Sequence, residues 1–327
     1  IATGVNSNFF GMKNLEKHAI PMKSVAEAMS LRNHILSNLE KAVTLFDEFE
    51  EEKKALLNVV VVGGGPTGVE IAGAIAEMKE FVLPKDYPDL NMDLMQVSII
   101  EGSPSLLANM SKHASEKSLF YLKRLGIKVR VNTRVVDYDG EILKLGDGEE
   151  IKTKLVIWAA GISGVVPPGI PDESIGRARR ILVDEFNRVK GLEDVFAIGD
   201  TSIMSTESYP NGHPQVAQVA IQQGANLARN FKAIKKKADL KPFKYTDKGS
   251  MATIGRNRAV ADLPFLEFSG FIAWLTWMFV HLMAIVGVKN RLLIFINWMW
   301  NYMTYDQSLR LILWAARKEK PEKKVTD

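Results

Sequence analysis

Val59-Val60-Val61-Val62-Gly63-Gly64-Gly65-Pro66-Thr67-Gly68 is the stretch from which the rest of the 327-residue chain is read. Four valines without a polar interruption are the pattern of a strand buried on both faces, as in a parallel sheet. Gly63, Gly65 and Gly68 follow at G-x-G-x-x-G spacing, and the helix-forming run Val69 to Met78 follows them. In that frame the first glycine permits a tight turn, the second lets backbone approach a pyrophosphate, and the third lets helix and strand pack closely. The helix start that Pro66 and Thr67 open then offers the free N–H groups of its first turn, to which Pro66 adds none, to the anion. A glycine-rich turn with no ligand is the plainer alternative; the strand-turn-helix context favours a dinucleotide.

The next apolar run, Val97 to Ile100, ends at Glu101. A carboxylate there would accept hydrogen bonds from a ribose diol and repel a 2′-phosphate, which favours NADH over NADPH. A solvent-facing strand-end acid is the bland alternative. Glu101 lies further from the glycines than the usual interval of about 20 residues. An insertion from Phe81 to Asn91, with Pro84, Tyr87 and Pro88, accounts for the excess if it forms a loop. Similar apolar runs at Ile127 to Val131, Leu155 to Ala159 and Val195 to Ile198 predict further buried strands, several separated by helical segments. Strand and helix in alternation predict a doubly wound α/β fold. Upstream, Ser24 to about Leu57 has apolar residues at helical spacing, with Ser24 as cap and Glu27 three residues on, and predicts one long helix. Pro167, Pro168 and Pro171, with Gly169 and Gly176, mark a crossing between domains.

Lysine and arginine number 42 against 38 acids, a surplus of only four and mixed along the chain, so no nucleic-acid partner is expected. The length calls for two or more domains. These residues contain no cysteine, which excludes a redox disulfide or a thiolate metal site built from them; no metal-ligand set or nucleophile triad stands out. Ile1-Ala2-Thr3-Gly4 is neither an initiator methionine nor a signal peptide, and the chain is read as starting inside a domain.

Beyond Leu263 the composition changes. Phe271 to Val288 is apolar except for Thr276 and His281, and Leu292 to Met303 adds Trp298, Trp300 and Tyr302. The first run is at the lower limit for a span, which takes about 20 apolar residues. Leu309, Ile312, Leu313 and Ala316 oppose Gln307, Arg310 and Arg317, an amphipathic pattern suited to the membrane interface, and Lys318, Lys320, Lys323 and Lys324 follow. Monotopic attachment is therefore expected, with a buried helix away from lipid as the alternative. His281 is given no role.

Val195-Phe196-Ala197-Ile198-Gly199-Asp200 sets a carboxylate after an apolar run and a glycine. Together with Ala2-Thr3-Gly4, the glycine motif and Trp158-Ala159-Ala160-Gly161, it resembles the pyridine nucleotide-disulfide oxidoreductase-like superfamily. Pro214-Gln215-Val216-Ala217-Gln218-Val219-Ala220-Ile221-Gln222-Gln223-Gly224 resembles the A-Q-x-A-x-Q segment of type II NADH dehydrogenases. Phe279-Val280-His281-Leu282 and Asn297-Trp298-Met299-Trp300-Asn301-Tyr302 are similar to their membrane-binding region. The likeness runs from Ile1 to about Trp314; the first glycine motif of the family, for the ADP half of FAD, is not among these residues, so the chain is read as N-terminally truncated.

The resemblance implies an α/β fold of two Rossmann-like domains, an NADH domain inserted in a split FAD domain, and a C-terminal helical membrane-binding segment. The corresponding boundaries are 1–55 for the rest of the first FAD half and a linking helix, 56–166 for the NADH domain, 167–262 for the second FAD half, and 263–327 for membrane binding and dimerisation. It implies non-electrogenic electron transfer from NADH through FAD to a membrane quinone, ubiquinone or menaquinone. It also implies a homodimer at the bilayer surface, on the cytoplasmic face of the inner (plasma) membrane. Gly63, Gly65, Pro66, Thr67, Gly68 and Glu101 would hold NADH, with Gly161 near the nucleotide. Ala2, Thr3, Gly4, Gly199, Asp200, Ala217, Gln218 and Val219 would hold the flavin. Glu70 would steer the nicotinamide or handle protons, or only stabilise a helix start. Gln218 and Gln222, four apart on one helical face, would border quinone, or be solvated. A soluble-carrier (ferredoxin or rubredoxin) NADH reductase and a non-catalytic nucleotide-binding membrane protein are the competing readings.

Overall fold

The computed structural model describes residues 1–304. The amphipathic pattern around Leu309 to Arg317 and the basic residues after it lie outside the described residues. The chain starts with β1 (Val5–Ser7), α1 (Lys13–His18), β2 (Ile20–Pro21), α2 (Val25–Thr44) and α3 (Glu50–Leu57). The region around the valine run follows as β3 (Asn58–Val62), α4 (Pro66–Glu77), α5 (Leu83–Asp86), β4 (Gln96–Ile100), α6 (Lys112–Arg124) and β5 (Lys128–Arg130). An antiparallel meander of β6 (Val135–Tyr138), β7 (Ile142–Leu145) and β8 (Glu150–Lys152) leads to β9 (Leu155–Trp158) and β10 (Ile162–Gly164). β11 (Ile181–Leu182), β12 (Ser202–Ile203) and α7 (Ala217–Lys235) come next. The described chain closes with β13 (Ser250–Thr253), β14 (Ala259–Leu263), β15 (Leu266–Ser269), α8 (Phe271–Ala284) and α9 (Val288–Thr304).

The valine run is the middle of a five-stranded parallel sheet in the order β2-β9-β3-β4-β5. Its side chains alternate between two cores, as the period of two requires. Val59 and Val61 join Ile99, Leu155 and Ile157 against the helix side, where Leu36, Leu39, Val69 and Leu122 pack. Val60 and Val62 join Ile100, Val156 and Trp158 against Leu15 and the meander residues Tyr138 and Leu143. Coverage on both faces is what an all-apolar parallel strand needs.

Three local expectations are corrected. The run from Ser24 is two helices rather than one: the capping box of Ser24 and Glu27 forms, but Leu45 and Phe46 are extended. Glu50, Glu51 and Glu52 then occupy the first turn of α3, where acids favour a helix start. The insertion from Phe81 is not a plain loop, because the chain leaves α4 through a π turn (Met78–Val82) and continues helically to Asp86, with Pro84 in the first turn where its missing N–H costs nothing. Val195 to Ile198 forms no ladder strand. Phe196 makes one bridge to Arg188, flanked by Val189 N–H to Val195 O at 2.7 Å and Ala197 N–H to Asn187 O at 3.0 Å, and Ile1 pairs with the Phe196 C=O and the Ile198 N–H.

At the far end, α8 and α9 are separated at Ile285 to Gly287, where Ile285 is extended and Gly287 has φ +89°. The break divides the apolar run, and among the described residues no helix is long and apolar enough to cross a membrane.

Ile99 is fully buried in β4, beside the middle strand of the sheet. Ile99→Ala should cost about 2–5 kcal/mol of unfolding free energy, read as a lower urea midpoint at unchanged slope. A loss below about 0.5 kcal/mol on the same scale of core truncations would contradict the packing described.

Candidate functional site

The turn between β3 and α4 is shaped by what surrounds its glycines. Gly63 has φ +112°, donates its N–H to Ile100 O at 2.8 Å, and would bring a Cβ to 2.7 Å from the Ala159 carbonyl. At Gly68 a Cβ would sit 1.8 Å from Gly63 O, so no other residue fits. Gly65 differs: nothing lies within 4 Å of its missing Cβ. Gly65 is the N-cap of α4, and no side chain caps that helix. The first N–H groups of α4 are therefore left for an anion, over open space, at the carboxyl edge of the sheet.

Beside this edge lies a cavity of about 550 Å³ whose walls include Gly63, Glu101, Arg134, Trp158 and Ala160. Glu101 stands at its wall with both carboxylate oxygens engaged: Oε2 accepts from Gly64 N–H at 2.5 Å and Oε1 from Ser103 N–H at 2.6 Å. It is thus a held carboxylate at the cavity, not a solvent-facing strand end. Gly161 has φ +135°, and its missing Cβ points at the Phe10 ring, 2.6 Å from Cζ. Pro66 and Thr67 are exposed at the mouth of the turn.

A second group of residues gathers around Asp200. Thr3 Oγ1 donates to Val165 O at 2.5 Å and lies 3.4 Å from Thr201 Oγ1, which brings Ala2-Thr3-Gly4 to the Gly199-Asp200-Thr201 turn. Gly199 has φ +72° and donates its N–H to Gln223 Oε1 at 2.7 Å; Gln215 Nε2 donates to Asp200 O at 3.0 Å. Asp200 meets Lys23 at 3.7 Å. Ala217 opens α7 over this turn, and no side chain caps that helix start either. Gln215 and Gln223, which sequence reasoning did not single out, are the residues that hold the turn in place.

Gln218 and Gln222 do share a face of α7, and both amides are engaged. Gln218 donates to Gly249 O and accepts from Lys248 N–H, each at 3.0 Å. Gln222 donates to Thr246 O and accepts from Thr246 N–H, each at 2.9 Å. Together they hold residues 246–249, the approach to β13.

Glu70 faces the C-terminal unit. Its Oε1 accepts from Thr253 N–H at 3.2 Å and lies 3.4 Å from Thr253 Oγ1. Burial pushes its carboxyl above the ordinary range, against the opposing pulls of the Thr253 N–H, His281 and Trp277. One face of α4 repeats this pattern. Gly73 lets the helix come within contact of Gly255, and Glu77 accepts from Arg256 N–H, its carboxyl also raised by burial. The seven-residue interval from Glu70 to Glu77 was the available signal for this face. Arg256 in turn donates to Asn301 O at 2.8 Å and Tyr302 O at 3.3 Å at the end of α9. The glycine-motif helix is thereby tied to the apolar C-terminal pair.

Residues 1–224 match the pyridine nucleotide-disulphide oxidoreductase family, and residues 248–305 match the NDH2 C-terminal domain. The chain belongs to the pyridine nucleotide-disulphide oxidoreductase family. Within the family it falls in the type II NADH dehydrogenase branch. It is 36% identical over 317 residues to the type II NADH:quinone oxidoreductase NdhA of Mycobacterium tuberculosis, covering 93% of this chain and 66% of that protein. The type II NADH:quinone oxidoreductase Ndh of the same organism is 34% identical, with 91% and 65% covered. The internal alternative NAD(P)H-ubiquinone oxidoreductase A1 of Arabidopsis thaliana mitochondria is 32% identical, with 93% and 62% covered. The chain thus spans about two thirds of the length of these family members. The structure of NDH2 from Plasmodium falciparum in complex with NADH superposes with a TM-score of 0.86 at 25% identity, covering 96% of this chain and 78% of that one.

A raised carboxyl makes its stability contribution below its unfolded value and loses it as pH rises through the folded one. Glu70→Gln keeps an acceptor for Thr253 and does not titrate. Melting temperatures from pH 3.5 to 7 should show the variant gaining on the native protein as pH rises above the ordinary value of 4.5, with no gain below it. A pH-independent offset would contradict the burial assigned to Glu70.

Proposed function

We propose that this chain carries electrons from NADH through FAD to a membrane quinone, ubiquinone or menaquinone, without moving protons across the membrane. The observation that carries the reading is the uncapped start of α4 opening at Gly65, next to the cavity walled by Glu101. An uncapped helix N-terminus over open space fits a pyrophosphate, and a strand-end carboxylate fits a ribose diol. The Gly199-Asp200 turn, under the equally uncapped start of α7, fits the polyol and phosphate side of a flavin dinucleotide. The relatives' names, which specify NADH or NAD(P)H and quinone or ubiquinone, support the substrates.

FAD, when bound, supplies the acceptance of a hydride and its onward release as electrons. The protein's part is placement. Gly63 and Gly68 keep α4 close to the sheet, its first N–H groups bind the pyrophosphate, and Glu101 orients the ribose. Ala2 to Gly4, Asp200 and Ala217 to Val219 seat the flavin. Glu70, held by Thr253, fixes the nicotinamide side of α4 against β13 and α8. Gln218 and Gln222 border the quinone end by holding residues 246–249.

Anaerobic absorbance of the protein after incubation with FAD and removal of the excess tests this directly. NADH should bleach the flavin band and a soluble quinone should restore it. Gln218→Ala removes the hydrogen bonds to Lys248 N–H and Gly249 O and should slow recovery on quinone at least several-fold, about the effect of a lost neutral hydrogen bond; unchanged recovery would contradict a role for Gln218 at the quinone end. Bleaching without recovery in the native protein would favour a soluble-carrier reductase, and no flavin spectrum a non-catalytic role.

The membrane is the proposed seat of α8 and α9. They leave Phe271, Ile272, Phe279, Leu293, Ile296 and Trp300 exposed, an apolar and aromatic surface beyond what a soluble face carries. Such helices, too short to span, suit the interface, on the cytoplasmic face of the membrane, with a second copy alongside forming a homodimer. Phe279→Glu with Ile296→Glu removes two side chains worth roughly 1.5–3 kcal/mol each on burial. Cosedimentation with anionic vesicles should fall at least about tenfold, and unchanged binding would contradict the lipid contact.

A further inference from the structure

The ribose end of the cavity is built from more than Glu101. Three backbone hydrogen bonds fasten the segment after β5 to the Glu101 turn: Glu101 N–H to Arg130 O at 2.8 Å, Thr133 N–H to Glu101 O at 2.9 Å, and Asn132 N–H to Ser103 O at 2.9 Å. The next residue, Arg134, is therefore held beside Glu101, and its own C=O is pinned by Gly146 N–H at 2.7 Å. Its stem packs over Gly102, whose missing Cβ would lie 3.6 Å from Arg134 Cγ.

Two arginines thus flank the turn, and they differ in what they meet. Arg130 is taken up by Asp147 at 2.8 Å and Glu149 at 2.6 Å. Arg134 is exposed, lines the cavity, and has no hydrogen bond or ion pair with a side chain among the described residues. Glu101, the charge that would repel a phosphate on the ribose, has both oxygens directed to the N–H groups of Gly64 and Ser103. The repelling acid is bound to backbone, and an unengaged guanidinium sits next to it. A guanidinium is the group best matched to a phosphate's geometry.

We propose that Arg134 is a specificity-determining residue that lets this site accept nucleotides with a 2′-phosphate, so that the chain takes NADPH as well as NADH. This deepens, and rests on, the reading of the cavity as a nucleotide site. Arg134 meets the 2′-phosphate at the cavity mouth, while Glu101 keeps the 3′-hydroxyl. The unphosphorylated ribose is held by Glu101 alone, so loss of Arg134 leaves NADH binding in place.

Calorimetric titration with 5′-AMP and with adenosine 2′,5′-bisphosphate isolates the effect, because the two differ only in the 2′-phosphate and neither needs flavin or turnover. The native protein should bind the bisphosphate at least as tightly as 5′-AMP. Arg134→Gln should weaken the bisphosphate about tenfold or more, the scale of one charge-assisted hydrogen bond, with 5′-AMP changed less than about twofold, a surface-substitution effect. Arg134→Lys should restore part of the loss, since it keeps charge but not the planar fork. Bisphosphate binding far weaker than 5′-AMP in the native protein, or an equal loss of both ligands in Arg134→Gln, would overturn the inference while leaving the nucleotide site standing. Binding of neither ligand would overturn both.

Discussion

The carbonyl of Gly63 occupies the place where residue 68 would carry a Cβ, and this contact governs the rest of the molecule. It holds the first turn of α4 against the end of β3, deeper than any side chain would allow. The start of the helix is then left uncapped at the carboxyl edge of the sheet, where its dipole and free N–H groups point into open space at Gly65. The same placement fixes the face of α4 that carries Glu70, Gly73 and Glu77. One steric constraint thus sets both the anion site and the direction in which the helix meets the C-terminal unit.

That second meeting is polar where an apolar contact would be cheaper. Glu70 and Glu77 are both pushed toward their neutral forms by burial, and each is partly compensated by a backbone N–H from the hairpin between β13 and β14. Buried carboxyls of this kind are retained at a cost to stability unless their partners stay in place. They give the contact a fixed register: Glu70 on Thr253, Gly73 on Gly255, Glu77 on Arg256. Arg256 extends the connection to the last turn of α9. A chain of directional bonds therefore runs from the nucleotide helix to the helices proposed to lie on the membrane, a short path for chemistry that must join a soluble reductant to a lipid-phase acceptor.

Local patterns were legible in the sequence and distant ones were not. The valine run, its flanking strands, the capping box at Ser24 and the glycine spacing are written within a few residues of one another, and each forms. Val195 to Ile198 has the composition of a strand, and its pairing with residues 187–189, through a single bridge, is set by a turn that its own residues do not show. The glutamines of α7 announced a shared face; their acceptors and donors lie 24 to 31 residues downstream in an irregular segment with no motif. Glu77 and Arg256 are 179 residues apart, so only the fold brings them together. Arg134 was hidden for the same reason: its proximity to Glu101 depends on loop hydrogen bonds that no spacing rule encodes.

A crystal structure of the protein with NADH bound tests the central claim most directly. The pyrophosphate should lie on the first N–H groups of α4 over Gly65, with the adenosine ribose on Glu101 and the nicotinamide directed toward the Glu70 side of that helix. A nucleotide bound elsewhere, or one that leaves the start of α4 uncontacted, would contradict the account.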